Sequence, residues 1–232
     1  MIYAVIFSFL LSFPTWATNK QVYGRDARVQ LTSKSIESIH KSIGMLIIEA
    51  KDGTSNVCTG NVIGPRHVLT ASHCLPHDLA RIHFVPGSLV GLNNPLAKNL
   101  PANSFTTTIV RRYDHRKWFK STQNDLAIVL FKKNLRLPVM KFSKYFYNGE
   151  IVTLAGYPVD KPNGTLWEAS GRMNGSSYTI DTFGGQSGAA VRNTHNEIVA
   201  IHSGAVPIRK VNEACVINSK HLKFITYWLK HF

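Results

Sequence analysis

Ser187 stands in the stretch Thr182-Phe183-Gly184-Gly185-Gln186-Ser187-Gly188-Ala189-Ala190, where glycines leave its hydroxyl accessible. Glycines there permit a tight turn and let backbone N–H groups crowd around a small anionic oxygen, as attack on a carbonyl requires. A Gly-rich hairpin turn has the same local composition, so the serine alone decides nothing. A hydroxyl is a poor nucleophile and needs a base, and the base needs an orienting carboxylate. His73 ends the apolar run Val68-Leu69-Thr70-Ala71-Ser72-His73, and Asp125 opens the run Asp125-Leu126-Ala127-Ile128-Val129-Leu130. Taken singly, Asp125 is an ordinary strand-start residue and His73 an ordinary surface histidine; together with Ser187 they supply nucleophile, base and orienter.

The order His, Asp, Ser is that of the chymotrypsin fold and differs from those of subtilisins and α/β-hydrolases. Thr70 to Cys74, Asn124 to Leu130 and Gly184 to Val191 resemble the His, Asp and Ser motifs of chymotrypsin-fold serine proteases, in particular those of bacterial glutamyl endopeptidases. The stretches Gly156 to Pro162, Thr165 to Glu168, Asp181 to Gly188 and Ala200 to Gly204 extend the resemblance over nearly everything after the first residues. It implies that Ser187 attacks, His73 takes the proton, Asp125 fixes the imidazole, and the N–H groups of Gly185 and Ser187 form the oxyanion hole. It also implies that His202, helped by Thr165 and with Ser203 alongside, receives the carboxylate of a substrate glutamate. A neutral or cationic imidazole with a hydroxyl suits a carboxylate better than an apolar or ammonium side chain. No aspartate is read where a trypsin-like pocket would need one. Animal digestive proteases place an aspartate at the position of Gln186 to receive the new terminal amine on activation. Gln186 cannot make that ion pair, so any dependence on N-terminal processing must use another contact.

The elements that must hold these residues read as strands. Met45 to Ala50, Cys58 to Ile63, His67 to Ala71, Arg81 to Val85, Phe105 to Val110 and Leu126 to Phe131 form one cluster of short apolar runs. A second cluster runs from about Ile151 through Leu166 to Arg172, Tyr178 to Asp181, Ala189 to Arg192, Ile198 to His202 and Ala214 to Ile217. Such turn-punctuated spacing predicts an all-β sandwich or barrel pair. The resemblance sharpens this to two six-stranded antiparallel β-barrels, about 40–131 and 148–218, with a crossover over 132–147. Leu222, Ile225, Leu229 and Phe232 recur at helical spacing and predict a closing helix over about 220–232, capped by Ser219.

Length and charge bound the rest. The 232 residues, 44% of them hydrophobic, suit one enzyme-sized unit with its own core. The net charge of +14 would draw acidic polymers or substrates, or simply solvate the surface. No dense Lys/Arg run supports a nucleic-acid motif, and no cofactor or metal is implied. Residues 1–17 read as a signal peptide: Ile2 to Phe13 is too short to span a bilayer, and Thr15-Trp16-Ala17 fits a cleavage site, although no Lys or Arg precedes the apolar core. Residues 18–21 read as a short propeptide, because Gln21 to Arg28 resembles a mature start; in the family the α-amine of such a start, here Val22, lies close to the specificity pocket. A secreted monomer with no membrane association, acting on acidic protein or peptide substrates, is the expectation. Cys58 and Cys74 bracket the base and read as a disulfide, with Cys215 left as a buried thiol. A zinc site built from Cys58 and Cys74 with His67 or His77 is the alternative, though it lacks any CxxC pair. Two other functions stay open: the same chemistry with another substrate preference, and a catalytically idle basic binding protein on this scaffold.

Overall fold

The computed structural model describes residues 22–87, 100–114 and 121–232. The expected leader and short propeptide (1–21), and residues 88–99 and 115–120, lie outside the described residues. The first strand, β1 (Val29–Gln30), joins a sheet built from the second half of the chain. The next seven form a sheet of their own: β2 (Ile43–Ala50), β3 (Ser55–Gly64), β4 (His67–Thr70), β5 (Leu79–Pro86), β6 (Phe105–Thr107), β7 (Ile109–Arg112) and β8 (Ala127–Leu130). They lie in the order β6-β5-β2-β3-β4-β8-β7, all antiparallel. Thr108 interrupts what is otherwise one bent strand: Thr107 pairs with Ile82 of β5, while Ile109 pairs with Leu130 of β8. That bend closes the sheet into a barrel, six-stranded when β6 and β7 count as one. Continuous apolar runs in β2, β4 and β8 are buried along nearly their whole lengths, as strands covered on both faces must be.

The second sheet holds β9 (Glu150–Gly156), β10 (Trp167–Asn174), β11 (Ser177–Tyr178), β12 (Ala190–Arg192), β13 (Ile198–Val206) and β14 (Val211–Val216). Its order is β1-β10-β11-β14-β13-β12-β9, and a further β9–β10 pairing closes the ring, leaving β1 as a short addition at the Trp167 end of β10. Val152, Leu154, Met173, Tyr178, Val191 and Val199 fill this barrel. The crossover over 132–147 carries only the isolated bridge Phe142–Ile198. It is tied to the first barrel by Leu135 N–H to Pro65 O and Met140 N–H to Val62 O, and to the second by Ser143 N–H to Ile198 O.

The closing helix α1 spans Ser219–His231. Its cap is Asn218, not the expected Ser219: Asn218 is extended, and its side-chain oxygen accepts the N–H groups of Lys220 and His221 at 2.9 and 3.1 Å. His221 returns the bond through Nδ1 to the Asn218 N–H, a reciprocal arrangement that fixes the helix start one residue earlier. The helix packs on the first barrel, not the second. Leu229 lies against Gly64, and the Trp228 carbonyl is 2.9 Å from Nε2 of the buried His67. A helix from the end of the chain thereby holds the two halves together.

Candidate active site

Asp125 follows the short turn Thr122–Asn124, whose entry is capped by the Ser121 hydroxyl, and its side chain enters the seam between the barrels. It is 4% exposed and takes three donors. Oδ1 accepts the His73 N–H at 2.9 Å, while Oδ2 accepts His73 Nδ1–H and the Ser203 hydroxyl, each at 2.7 Å. Burial alone would raise this carboxyl, but the His73 charge and these donors outweigh it and hold the group below its ordinary value. His73 sits in a second short turn, Ser72–Cys74, at the end of β4. Burial depresses its imidazole, yet the Asp125 charge and hydrogen bond win and leave it raised. With Nδ1–H given to Asp125, a neutral His73 keeps its basic lone pair on Nε2.

Cys74, next to His73, is joined to Cys58 on β3. Both sulfurs are consumed in that bond, which removes the zinc alternative. Among the described residues no group of three or more His, Cys, Asp or Glu could hold a metal ion. Cys215 on β14 is a buried free thiol whose sulfur contacts the Gln123 carbonyl at 3.3 Å; burial pushes its pKa far up, away from reactivity.

Ser187 belongs to the second barrel, and its loop is clamped onto the first-barrel strands that lead to His73. The Thr59 N–H donates to the Ser187 carbonyl at 2.8 Å. Asn61 Nδ2 donates to the Gly188 carbonyl at 2.7 Å, and its Oδ1 accepts the Ala190 N–H at 3.0 Å. Gly188 has φ +84°, and a Cβ there would stand 2.2 Å from Thr70 Oγ1 and 3.0 Å from the Ala71 nitrogen, just before the base. Gly185 has φ +94°, and a Cβ there would stand 2.2 Å from the Tyr157 carbonyl oxygen. The Gly184 carbonyl is held by the Val159 N–H at 2.8 Å, so the planar trans peptide turns the Gly185 N–H the opposite way. Among the described residues, no hydrogen bond takes the N–H of Gly185 or of Ser187. Two unspent backbone donors are therefore available at Gly185 and Ser187, the kind of group that stabilisation of an oxyanion uses. Thr59 and Asn61 escaped the sequence reading; both are wholly buried, and the available signal was two polar residues inside the run Cys58 to Ile63.

His202 on β13 is wholly buried. Its N–H donates to the Ala189 carbonyl and its carbonyl accepts the Gly188 N–H, both at 2.9 Å, so it flanks the nucleophile loop. The Tyr178 hydroxyl is 2.5 Å from Nδ1. Burial, reinforced by the Glu213 charge, raises the phenol well above its ordinary value and keeps it protonated. We assign Tyr178 as the donor and Nδ1 as the acceptor, the tautomer that puts the imidazole proton on Nε2. Burial, with the His73 charge second, pushes His202 down to about 3, against a smaller upward pull from the Asp125 charge and the Glu213 backbone, which lies near the ring without forming a hydrogen bond of good geometry. The result is a neutral imidazole with its proton on Nε2, an atom without a partner among the described residues. Tyr178 was not anticipated from the sequence.

Two expected substrate contacts, Thr165 and Ser203, spend their hydroxyls on other partners. Thr165 is spent: its hydroxyl donates to the Pro162 carbonyl at 2.5 Å and accepts the Trp167 indole N–H at 2.9 Å, leaving no donor for a carboxylate. Ser203 turns its hydroxyl to Asp125, not to a substrate. Val22 precedes an anchor in which the carboxylate of Asp181, six residues before Ser187, accepts the N–H groups of Tyr23 and Ala27 at 3.1 and 2.9 Å. The sequence reading passed over Asp181; both its oxygens serve the backbone of the N-terminal segment.

The chain is 31% identical over 192 residues to a glutamyl endopeptidase of Staphylococcus aureus, a match covering 77% of this chain and 50% of the relative. The chain thus spans about half the length of the curated relatives it matches. A solved Glu endopeptidase in complex with MPD superposes with a TM-score of 0.74 at 22% identity, over 90% of this chain and 99% of that one. A thermostable serine protease, AL20, from an extremophilic microorganism superposes at 0.68 and 15% identity, over 84% and 100%. These likenesses show the two-barrel fold with its closing helix. Residues 58–201 match the family described as trypsin-like peptidase domain. Because that match spans more than half of the chain, and includes the positions of His73, Asp125 and Ser187, the chain belongs to the trypsin-like peptidase family.

Proposed function

We propose that this protein is an exported serine endopeptidase that cleaves after glutamate through an acyl-enzyme. The observation that carries the chemistry is the three-donor setting of Asp125, which presents His73 with Nε2 as base beside a loop whose Gly185 and Ser187 N–H groups are unspent. Ser187 Oγ attacks the scissile carbonyl as its proton passes to His73 Nε2. The two N–H groups stabilise the oxyanion, at a worth of about 2.7–4 kcal/mol for one such donor. The imidazolium then protonates the leaving amine and the C–N bond breaks. Water repeats the sequence on the acyl-enzyme, with His73 again taking and returning the proton.

The substrate preference rests on His202. A carboxylate entering a closed pocket loses hydration and must meet donors there. The neutral imidazole, with Nε2–H unpartnered, supplies one without carrying a charge of its own. The relatives named as glutamyl endopeptidases support the same preference. The excess of basic residues would favour the approach of acidic segments, an effect that fades with salt. Export rests on the leader at 1–17, with a second cut near Val22. No helix among the described residues is long and apolar enough to cross a membrane.

A fluorophosphonate tests the class. Purified protein should take up one equivalent on Ser187, and Ser187→Ala should take up none while remaining folded. A wild-type protein that stays unlabelled would favour the idle binding scaffold.

A further inference from the structure

Gln186, beside Ser187, cannot form an ion pair with a terminal amine, yet it is wholly buried and held by a cation from the N-terminal segment. Arg28 lies with its side chain 1% exposed beneath the nucleophile loop. Its guanidinium forks onto Asp160, with Nη1 to Oδ1 at 3.0 Å and Nη2 to Oδ2 at 2.6 Å. It forks also onto Asp26, with Nε to Oδ1 at 2.9 Å and Nη2 to Oδ2 at 2.8 Å. Nη1 further reaches Gln186 Oε1 at 3.4 Å, and the same oxygen accepts the Phe183 N–H at 3.0 Å. Two donors converging on one amide oxygen fix which way the amide faces, since a reversed amide would set NH₂ against both. Lys161 completes the cluster by binding Asp26 at 2.8 Å, so two cations meet two carboxylates.

Each partner of Arg28 controls one side of the oxyanion loop. Asp160 follows Val159, whose N–H holds the Gly184 carbonyl and thereby aims the Gly185 N–H. Gln186 leads into Ser187, and its oxygen holds the Phe183 N–H, the other leg of the same turn. A planar guanidinium bonded to both in fixed directions does what a flexible ammonium point charge cannot. The same N-terminal segment is anchored at the far end of the loop, where Asp181 takes the amides of Tyr23 and Ala27.

We propose that Arg28 is a positioning residue for acyl transfer: it ties the N-terminal segment to Asp160 and Gln186 and so holds the Gly185 and Ser187 N–H groups in place for the oxyanion. This proposal rests on the peptidase reading above. The N-terminal segment then belongs to the catalytic apparatus, through a side chain instead of a terminal amine. Arg28 touches neither substrate nor reacting atoms, so its removal should act on the transition state and leave substrate affinity alone.

The test compares wild-type protein with Arg28→Gln and Arg28→Lys, reading kcat and KM on a chromogenic peptide, the second-order rate of fluorophosphonate labelling, and thermal stability. Arg28→Gln should lower kcat and the labelling rate by about 100-fold, the scale of one lost oxyanion donor, with KM held within about twofold. Arg28→Lys should restore only part of this, because it cannot fork. If Arg28→Gln does not fold, Asp160→Asn keeps an acceptor of the same shape and should lower kcat by about 10-fold, again at nearly constant KM. A folded Arg28→Gln, or in its place Asp160→Asn, with kcat and labelling at the wild-type level would overturn the proposal, as would a loss confined to KM. A wild-type protein inert to the fluorophosphonate would overturn the peptidase reading and this proposal with it. A reactive wild type with equally reactive variants would overturn this proposal alone.

Discussion

Tyr178 and His202 are joined by a 2.5 Å hydrogen bond inside the second barrel, and that bond decides which imidazole nitrogen carries the proton. With the phenol assigned as donor to Nδ1, Nε2 is left as N–H, buried and unpartnered. A donor prepared in this way costs stability in the empty protein and repays it when a carboxylate arrives. Tyr178→Phe should therefore free the ring to change tautomer. The expected result is a fall of about 10-fold in kcat/KM on glutamate substrates, the worth of one hydrogen bond, with little change on an uncharged residue at the same position. Paired kinetics on two peptides that differ only at that residue would show it.

The two histidines near the site should titrate far apart. Burial lowers His73, but Asp125 outweighs that and raises it above its ordinary 6.5. The base works only when neutral, so kcat/KM should climb with pH through a midpoint above 6.5 and then level. His202, held near 3, adds no second step over the working range. Asp125→Asn removes the charge that raises His73, so the midpoint should fall, and kcat should drop by about 10⁴-fold as the imidazole loses its fixed tautomer. A pH–rate profile of both proteins checks sign and size.

Gly185 and Gly188 should respond differently to alanine. At Gly185 the added methyl meets the Tyr157 carbonyl on the side of the loop that aims the oxyanion donor. Gly185→Ala should fold and lose about 10²–10³-fold in kcat. At Gly188 the methyl runs into Thr70 Oγ1 and the Thr59 carbonyl, where the two barrels meet. Gly188→Ala should show its loss first in thermal stability, measured by calorimetry beside activity.

The Cys58–Cys74 bridge closes a loop of sequence separation 16 around the base. Replacing both cysteines by serine should cost about 3 kcal/mol in denaturant unfolding by the chain-entropy argument. Cys215 should label with a maleimide only after unfolding, since it is buried and its thiolate disfavoured.

The barrels were legible because β2, β4 and β8 carry nearly unbroken apolar runs, and the candidate groups stood out because His73, Asp125 and Ser187 each sit in a local motif. Contacts that depend on distant segments meeting were not. Nothing local to Thr165 says that its proton goes to Pro162, and nothing local to Ser203 says that it faces Asp125 across a separation of 78 residues. Arg28 reads as one more basic residue of the expected mature start until Asp160 and Gln186 are folded against it. The helix cap shows the smaller error: Asn218 and Ser219 are both good caps, and only the backbone at Asn218 selects between them.

The central claim is that His202 makes this a glutamate-directed peptidase, and cleavage-site mapping tests it most directly. Wild-type protein and His202→Ala are each incubated with one unfolded protein of known sequence, and every cut is read by mass spectrometry. Cuts should fall predominantly after glutamate for the wild type, and His202→Ala should lose those cuts by about 10²-fold in rate while Ser187 still labels. Wild-type cuts falling mainly after Lys, Arg or aromatic residues would contradict the claim.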